Sequence, residues 1–356
     1  MCYKDPVNVA TPPSGSTPTL EDVARAAGVS RATVSRVING IRNVDPAIQE
    51  VVRQAVAATG YVPNQAARSL VTRRAGVVAL VVSGASGEEP GEPSPGQVFT
   101  DPFFGRVAAG IIGFLRPQGI HPILMFADDA ETRTQVLTYL RQGNADGALL
   151  VSTHAEDPLP RLLADAGLPA VLFARPAEPI PISYVDVEHR AGARLAADHL
   201  VSRGCRRVAT ITGPPSLPAA QARLAGFRDA MAVHGHPYIP CAEGNFTYHS
   251  GEAAMERLLA GHPDLDGVFA ANDVMAQAAL FVLRHRGLRV PEDVAVIGFD
   301  DSSVAAASRP ALTTVRHPVE DMAAEMARLL LAQVDRPELP ATSIIFDPAL
   351  VVRESA

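Results

Sequence analysis

The 356-residue sequence contains no tryptophan, a single lysine and only three cysteines. The cysteines are odd in number, scattered and never in C-x-x-C spacing, so they indicate neither a disulfide framework nor a zinc site. Aromatic residues make up 5% of the chain, and no window approaches the uncharged apolar length that a membrane span needs. The first residues contain no apolar signal core. These absences predict a cytoplasmic protein with no metal and no membrane segment.

Charge is unevenly distributed along the chain. The net charge of −7 would by itself argue against a nucleic-acid partner. Residues 18–74, however, contain eight arginines and four acidic residues, a net charge of +4, whereas residues 75–356 carry −11. A basic segment on an acidic body is typical of a protein that contacts phosphates with one end only. Residues 1–17 are rich in Pro, Ser and Thr and are predicted to form a disordered tail.

Residues 19–40 predict two short amphipathic helices joined by a turn. Thr19 begins a capping box, and apolar residues recur at helical spacing up to Gly28, which suits a left-handed turn. Ser30 caps the second helix, and Asp45 caps a third that has proline at its first position. The buried stripe of the third helix is predicted to consist of Ile48, Val51, Val52, Ala55 and Val56.

This part of the chain closely resembles the N-terminal headpiece of the lactose-repressor (LacI/GalR) family. The match covers the run T-L-E-D-V-A-R-A-A-G-V-S-R-A-T-V-S-R-V-I-N-G at residues 19–40 and continues at residues 60–70. A helix-turn-helix pattern alone is weak evidence, because a helical hairpin in an unrelated core has the same pattern. The length of this match favours a DNA-binding headpiece. The implied organisation is a tail at 1–17, a headpiece at 18–62, a hinge and linker at 63–74, and a sensor and dimerisation domain at 75–356.

The resemblance implies which headpiece side chains contact DNA. Arg31, Ala32 and Arg36 would face base edges in the major groove, where arginine commonly reads guanine. Contacts that hold the phosphate backbone are expected from Thr19, Ser30, Thr33, Ser35 and Asn39.

The hinge is predicted to contain a short helix, because Pro63 ends the preceding one and Asn64 can cap a new one. An isolated helix needs roughly 12–15 residues to be stable in water, and this segment is shorter. The hinge helix would therefore form only when it packs against a partner. In the family, paired hinge helices enter the minor groove and a leucine from each opens the central base step. Leu70 occupies that position, with Ala67 beside it. The alternative is an ordinary linker.

From residue 76 onward, apolar runs alternate with helical patterns, which favours parallel, doubly wound sheets. Strands are predicted at 77–82, 122–126, 147–151, 170–173, 208–212, 267–271 and 294–298. Helices are predicted at 191–203, 219–234 and 250–260. The predicted fold class is therefore an all-α helix-turn-helix headpiece followed by an α/β sensor domain. The resemblance divides that domain into two lobes, like those of periplasmic sugar-binding proteins.

Five residues fall beyond strand ends, where ligands of such sheets bind. Phe103 and Phe246 are predicted to be aromatic platforms, and Arg223 matches the family arginine that makes a forked contact to ligand oxygens. Asn272 and Asp300 offer donors and acceptors to vicinal hydroxyls. Four of them also have a plainer interpretation: the phenylalanines as core, Arg223 as an ion-pair partner and Asp300 as a helix cap. Together they predict a sugar or nucleoside-like effector.

Two features depart from the family pattern. Glu188 and His189 stand where many relatives carry Asp-Asn, so the contacts there are left open. Residues 84–100 are long for a strand–helix connection and are interpreted as a solvated loop, or alternatively as a cover for the cleft.

Competing functions are weaker. The sequence contains no P-loop, G-x-S-x-G, H-E-x-x-H or strand-end G-x-G-x-x-G motif, so no enzyme and no cofactor is predicted. A solute-binding protein would need an export signal and no headpiece, and an architectural DNA-binding protein would not need so large a body. The sequence predicts a ligand-responsive repressor that binds near-palindromic operator DNA as a homodimer. Dimer contacts are expected around 104–115 and 322–331.

Overall fold

The structure is a computed structural model that describes residues 18–39, 44–62, 74–84, 102–152, 154 and 156–356. The chain divides into two compact units, Met1–Ala75 and Gly76–Ala356, called here the headpiece unit and the body. No helix within the described ranges is both long and apolar enough to cross a membrane. The predicted hinge residues Asn64, Ala67 and Leu70, and all of the 84–100 insertion except Gly84, lie outside the described residues.

The headpiece unit contains the three predicted helices, α1 (Leu20–Ala27), α2 (Arg31–Ile38) and α3 (Pro46–Thr59). Thr19 caps α1 with a capping box, and Gly28 ends it with a φ of 64°. The Ser30 side chain accepts a hydrogen bond at the start of α2, and Asp45 does the same for α3. The predicted caps and turn are confirmed.

The predicted buried stripe of α3 is only partly right. Val52 and Ala55 are buried in the headpiece core, but Ile48 is 37% exposed and Val51 is 45% exposed. The two helices packed against α3 have only eight residues each, so they cover one narrow strip of it. The spacing of apolar residues identified the helix, but it did not show how much of the helix surface α1 and α2 cover.

The body contains two six-stranded sheets of matching topology. Lobe 1 has the order β2-β1-β3-β4-β5-β11, with every neighbouring pair parallel. Its strands are β1 (Val77–Ser83), β2 (His121–Ala127), β3 (Ala148–Ser152), β4 (Ala170–Phe173), β5 (Ser183–Val187) and β11 (Ser343–Phe346). Lobe 2 has the order β7-β6-β8-β9-β10-β12, in which only β12 is antiparallel. Its strands are β6 (Val208–Thr212), β7 (Cys241–Glu243), β8 (Gly267–Ala270), β9 (Ala295–Asp300), β10 (Thr313–Arg316) and β12 (Ala349–Val351).

Helices cover both faces of each sheet, which is why the central strands consist mostly of apolar residues. Those of lobe 1 are α4 (Pro102–Leu115), α5 (Ala130–Arg141), α6 (Leu159–Asp165) and α12 (Val319–Asp335). Those of lobe 2 are α7 (His189–Ser202), α8 (Pro218–Val233), α9 (Tyr248–Gly261), α10 (Asp273–His285) and α11 (Ser303–Ala307).

Helix α12 packs against α4 inside lobe 1. Its apolar residues Met322, Met326 and Leu330 are fully buried there, together with Ile111 and Leu115 of α4. These side chains of the segment 322–331 therefore fill the protomer's own core, and the dimer contact expected in this segment stays a prediction. On α4, Ile112 remains 44% exposed.

The chain passes between the lobes three times. The crossings follow β5, β10 and β11, at residues 187–189, 316–319 and 346–349. The first two crossings run along the base of the space between the lobes, and they position the site described next.

Candidate functional site

A cleft of about 1890 Å³ lies between the two lobes. All five predicted effector residues line it, at the carboxyl ends of strands or in the segments that follow them: Phe103, Arg223, Phe246, Asn272 and Asp300. Small-molecule pockets typically have volumes of about 300–1,000 Å³. The cleft therefore has room for more than a single sugar ring.

Arg223 of α8 is buried, with 5% of its surface exposed, at the centre of this cleft. One of its NH groups donates to the carbonyl oxygen of Ala271, and NH2 lies 3.7 Å from Oδ1 of Asp300. The guanidinium carbon lies 3.7 Å from the ring centroid of Phe299. A permanently charged group is thus held out of bulk water by a carboxylate, a carbonyl and an aromatic face.

His189 contacts Arg223 at the base of the cleft and orients its guanidinium. Nε of Arg223 lies 3.3 Å from Nδ1 of His189, and Nε2 of His189 lies 3.3 Å from Oδ1 of Asp186. Because a guanidinium only donates, Nδ1 must accept and the ring proton must be on Nε2, facing the carboxylate. Burial, followed by the charge of Arg223, lowers the pKa of His189 to about 4. The contacts that the sequence left open at this position are therefore those of a neutral imidazole.

Asp300 and Phe246 occupy strained backbone conformations. Asp300 has a φ of 112° and Phe246 a φ of 67°, both in the region that side chains rarely adopt. Such conformations persist where surrounding contacts hold them, and they cluster at binding sites. The Asn272 amide donates to the carbonyl oxygen of Phe246 over 2.9 Å, while its own oxygen caps α10. Asn272 thus fixes the shape of the cleft wall at Phe246.

Two carboxyl groups influence each other here, that of Asp300 at the end of β9 and that of Asp273 at the start of α10. Burial raises the pKa of Asp300, and the positive charges of Arg223 and Arg106 oppose that rise. Burial and the nearby charge of Asp300 raise the pKa of Asp273 to about 7, although hydroxyl and amide donors of Ser302 and the Thr314 hydroxyl lower it. Asp273 is held by these hydrogen bonds, so Asp300 is the carboxyl group that the cleft presents.

His317 closes the base of the cleft among aromatic rings. Its Nδ1 lies 3.3 Å from Oδ1 of Asp300, and its ring centroid lies 6.0–6.1 Å from those of Phe103, Phe173 and Phe299. Burial lowers the pKa of His317 well below its usual value. Phe103 also packs edge-to-face on Phe173 at 5.2 Å, so one side of this ring is part of the packed floor. The plainer core interpretation therefore holds for one side of the Phe103 ring, and its role as a platform for the effector stays a prediction.

Sequence reasoning missed Arg106, Asp273 and His317. Arg106 lies one helical turn after Phe103, a spacing that places both on one face of α4, and this signal was available. His317 follows β10, a strand of only four residues that periodicity does not detect.

In the headpiece unit, α2 presents the predicted base-reading residues. Arg31, Ala32 and Arg36 are all exposed. Glu21 lies 3.0 Å from Arg31, in an ion pair that water screens. The predicted phosphate-contacting side chains pair along the helix: the Ser30 and Thr33 hydroxyls are 2.9 Å apart, and Asn39 donates to Ser35 over 3.2 Å. Thr19 bonds Asp22. No cluster of metal-ligating side chains occurs within the described part of the chain.

Comparisons with known proteins match both units. Residues 19–64 match the family model for bacterial regulatory proteins, lacI family, and residues 197–356 match a periplasmic binding protein-like domain. The chain is similar to the HTH-type transcriptional regulator CelR of Thermobifida fusca, with 44% identity over 343 residues that cover 95% of this chain and 98% of the relative. Two solved structures are also similar. A transcriptional regulator CelR–cellobiose complex has a TM-score of 0.73 and 42% identity, covering 95% of this chain and 100% of that one. A lac repressor dimer bound to operator and the anti-inducer ONPF has a TM-score of 0.78 and 25% identity, covering 96% and 99%.

Proposed function

This chain belongs to the LacI family of bacterial regulatory proteins, and we propose that it represses a sugar-utilisation operon under the control of a disaccharide such as cellobiose. It is a ligand-responsive, sequence-specific DNA-binding regulator that binds operator DNA as a homodimer. The observation that carries the proposal is the convergence of Phe103, Arg223, Phe246, Asn272 and Asp300 on one large cleft. The 44%-identical relative and the similar cellobiose complex favour a glucose disaccharide.

In this proposal, the charged residues grip the sugar and the rings support it. Arg223 donates to ring or hydroxyl oxygens, and Asp300 accepts from adjacent hydroxyls. Phe103 and Phe246 lie against the apolar faces of the sugar rings, since the chain has no tryptophan for this purpose. Asn272 contributes through its amide and through the cleft wall that it fixes.

On the DNA side, the exposed face of α2 enters the major groove. Arg31, Ala32 and Arg36 read base edges, and phosphate contacts come from Thr19, Ser30, Thr33, Ser35 and Asn39. In the hinge, a short helix capped by Asn64 enters the minor groove with Ala67 and the wedge residue Leu70. The two-fold symmetry of the homodimer requires a near-palindromic operator.

The switch follows from thermodynamic linkage. A sugar changes operator affinity only by binding more tightly to one arrangement of the lobes, and such coupling typically amounts to 1–3 kcal/mol. Binding in the cleft favours the arrangement in which the hinge segments of the dimer no longer pair, and DNA is released. The proposal places the protein in the cytoplasm, where operator DNA lies, and assigns it no catalytic step and no cofactor.

An electrophoretic mobility-shift experiment tests the proposed function. The operator is first obtained by selection from random DNA with the full-length protein. Cellobiose at millimolar concentration is expected to release this operator, while ribose and galactose at the same concentration do not. Release by ribose or galactose instead would overturn the disaccharide assignment, and failure to select any operator would overturn the regulator.

A further inference from the structure

Helix α4 carries Phe103, which lines the cleft, and Arg106 on the same face. Phe103 lies at its start, and Arg106 follows after one turn. The Arg106 side chain leaves lobe 1 and reaches backbone at the end of β9 in lobe 2 and at the crossing after β10. One helix of lobe 1 is thus connected both to an aromatic wall of the cleft and to the opposite lobe.

Four hydrogen bonds hold the Arg106 guanidinium. Nε and NH2 each donate to a carboxylate oxygen of Glu320 at 2.7 Å, a forked pair that fixes the plane of the group. NH1 donates to the carbonyl oxygen of Asp300 at 2.9 Å, and NH2 also donates to the carbonyl oxygen of His317 at 3.0 Å. Arg106 is 17% exposed at its side chain, so water competes weakly for these bonds.

The contact with Asp300 falls on a strained residue. The φ of 112° at Asp300 turns its carboxyl group into the cleft, and a side-chain-bearing residue does not hold that angle unaided. Its carbonyl oxygen accepts from Arg106 and, at 3.4 Å, from the backbone N–H of His317. Of these two donors, only Arg106 comes from lobe 1.

We propose that Arg106 is a positioning residue for the effector: it holds the Asp300 backbone in the conformation that presents the carboxyl group to the sugar, and it ties this carboxyl group to helix α4. This rests on the proposed function, because it takes Asp300 as an effector contact. A lysine cannot replace the arginine fully, since a single ammonium group cannot match the forked carboxylate and both carbonyls.

Isothermal titration with cellobiose tests the role in four full-length variants: Arg106→Ala, Arg106→Lys, Asp300→Asn and the double variant Arg106→Ala/Asp300→Asn. We expect Arg106→Ala to weaken binding about tenfold, in the range typical of residues that couple sites, and Arg106→Lys to weaken it less. Because Arg106 acts through Asp300, the double variant should bind no more weakly than Asp300→Asn alone. Fully additive losses would overturn the proposal.

Arg328→Ala is the matched control. Arg328 forms a forked pair with Glu325 on α12, the helix that also carries Glu320, but it lies on the exposed surface and does not bridge the lobes. Its removal is expected to leave cellobiose affinity within about twofold of the wild type. An equal loss in Arg328→Ala and Arg106→Ala would mean that the effect is general destabilisation, and the proposal would fall.

Hydrogen–deuterium exchange supplies a second measurement that needs no sugar. Without Arg106, the amide of His317 and the segment 299–303 should exchange faster, whereas Arg328→Ala should leave both unchanged. If the exchange rates in Arg106→Ala equal those of the wild type, the inference is wrong, whether or not cellobiose is the effector. The proposed function fails separately, if Asp300→Asn binds cellobiose as tightly as the wild type does.

Discussion

Nε of Arg223 donates a hydrogen bond to Nδ1 of His189 over 3.3 Å, and both side chains are buried at the base of the cleft. The arrangement requires a neutral imidazole, because a protonated ring would place a donor against a donor and a second positive charge beside the guanidinium. Arg223, the proposed effector contact, is therefore held by a group whose protonation state depends on pH.

Acidification is expected to destabilise the body through His189. The folded-state pKa of about 4 lies below the ordinary value of 6.5, so between these values the unfolded chain binds a proton that the folded chain excludes. Stability is then lost as the pH falls from about 6.5 to about 4, by on the order of 1 kcal/mol per pH unit. Urea unfolding across this range should show a shallower pH dependence in His189→Gln, which keeps a donor and an acceptor. His317 acts in the same direction, whereas the raised pKa values of Asp273 and Asp300 act in the opposite direction, so the test is the difference in slope between His189→Gln and the wild type. An unchanged slope in His189→Gln would contradict this explanation.

Removing the guanidinium of Arg223 should abolish the response to sugar without affecting operator binding. Truncating one member of a buried, hydrogen-bonded charge pair typically costs 2–5 kcal/mol, so Arg223→Gln should weaken cellobiose binding by about 30-fold or more. Calorimetry gives the affinity, and a mobility shift without sugar checks the operator. Arg161→Gln is the control, since Arg161 lies at the rim of the same cleft in an exposed ion pair with Glu178. Comparable losses in both variants would remove the special role of Arg223.

Arg36→Ala should strongly reduce discrimination between operator and random DNA. A bidentate arginine–guanine contact is worth about 1–3 kcal/mol, so the ratio of the two affinities should fall by roughly one order of magnitude or more. Arg53→Ala, on α3, removes the same charge and should weaken binding to both DNAs alike. The measurement is a pair of titrations at the same salt concentration, one with operator DNA and one with random DNA. An unchanged affinity for cellobiose shows that the variant is folded. Retention of the full ratio in Arg36→Ala would refute base reading by this residue.

Replacing Arg31 and Ala32 together should change which operator is preferred rather than abolish binding. Both residues are exposed near the start of α2, where side chains of a recognition helix reach base edges. Selection from random DNA with the double variant should return half-sites altered at a few adjacent positions. Recovery of the wild-type operator would show that these positions do not contact bases.

Two glycines of α4 make a matched pair for stability. A Cβ at Gly110 would lie 2.2 Å from the backbone oxygen of Glu320, whereas one at Gly113 would meet nothing within 4 Å. Gly110→Ala is therefore expected to push α4 away from α12 and cost about 1–3 kcal/mol. Gly113→Ala should stabilise the body by about 0.5–1 kcal/mol, because alanine loses less backbone freedom on folding. Urea denaturation of both variants is the measurement, and equal effects would contradict the packing described for these helices.

The sequence predicted those elements whose signals are local. The caps at Thr19, Ser30 and Asp45 depend on side chains that bond backbone a few residues away, and all three form. The seven predicted strands are also present, because long apolar runs mark buried parallel strands. Five strands were not predicted: β5, β7, β10, β11 and β12. They have three to five residues each, and their existence depends on partners far away in the chain.

The effector site was predictable to a similar extent. Strand ends and the family resemblance identified the five lining residues, and the structure brings all of them to one cleft. The contacts that hold them were not predictable. Arg106 and Asp300 are 194 residues apart in sequence, and the left-handed backbone at Asp300 occurs without a glycine to signal it. Such relationships arise only when the two lobes are placed against each other.

The three crossings between the lobes have a consequence for biosynthesis. Lobe 1 begins at β1 but receives α12 and its edge strand β11 only after all of lobe 2 except β12 has been translated. Until then, the face of the lobe 1 sheet that carries Leu149 and Val171 lacks the helix that buries it. A ribosome that pauses before residue 319 therefore holds a nascent chain with an uncovered apolar sheet, the kind of surface to which chaperones bind.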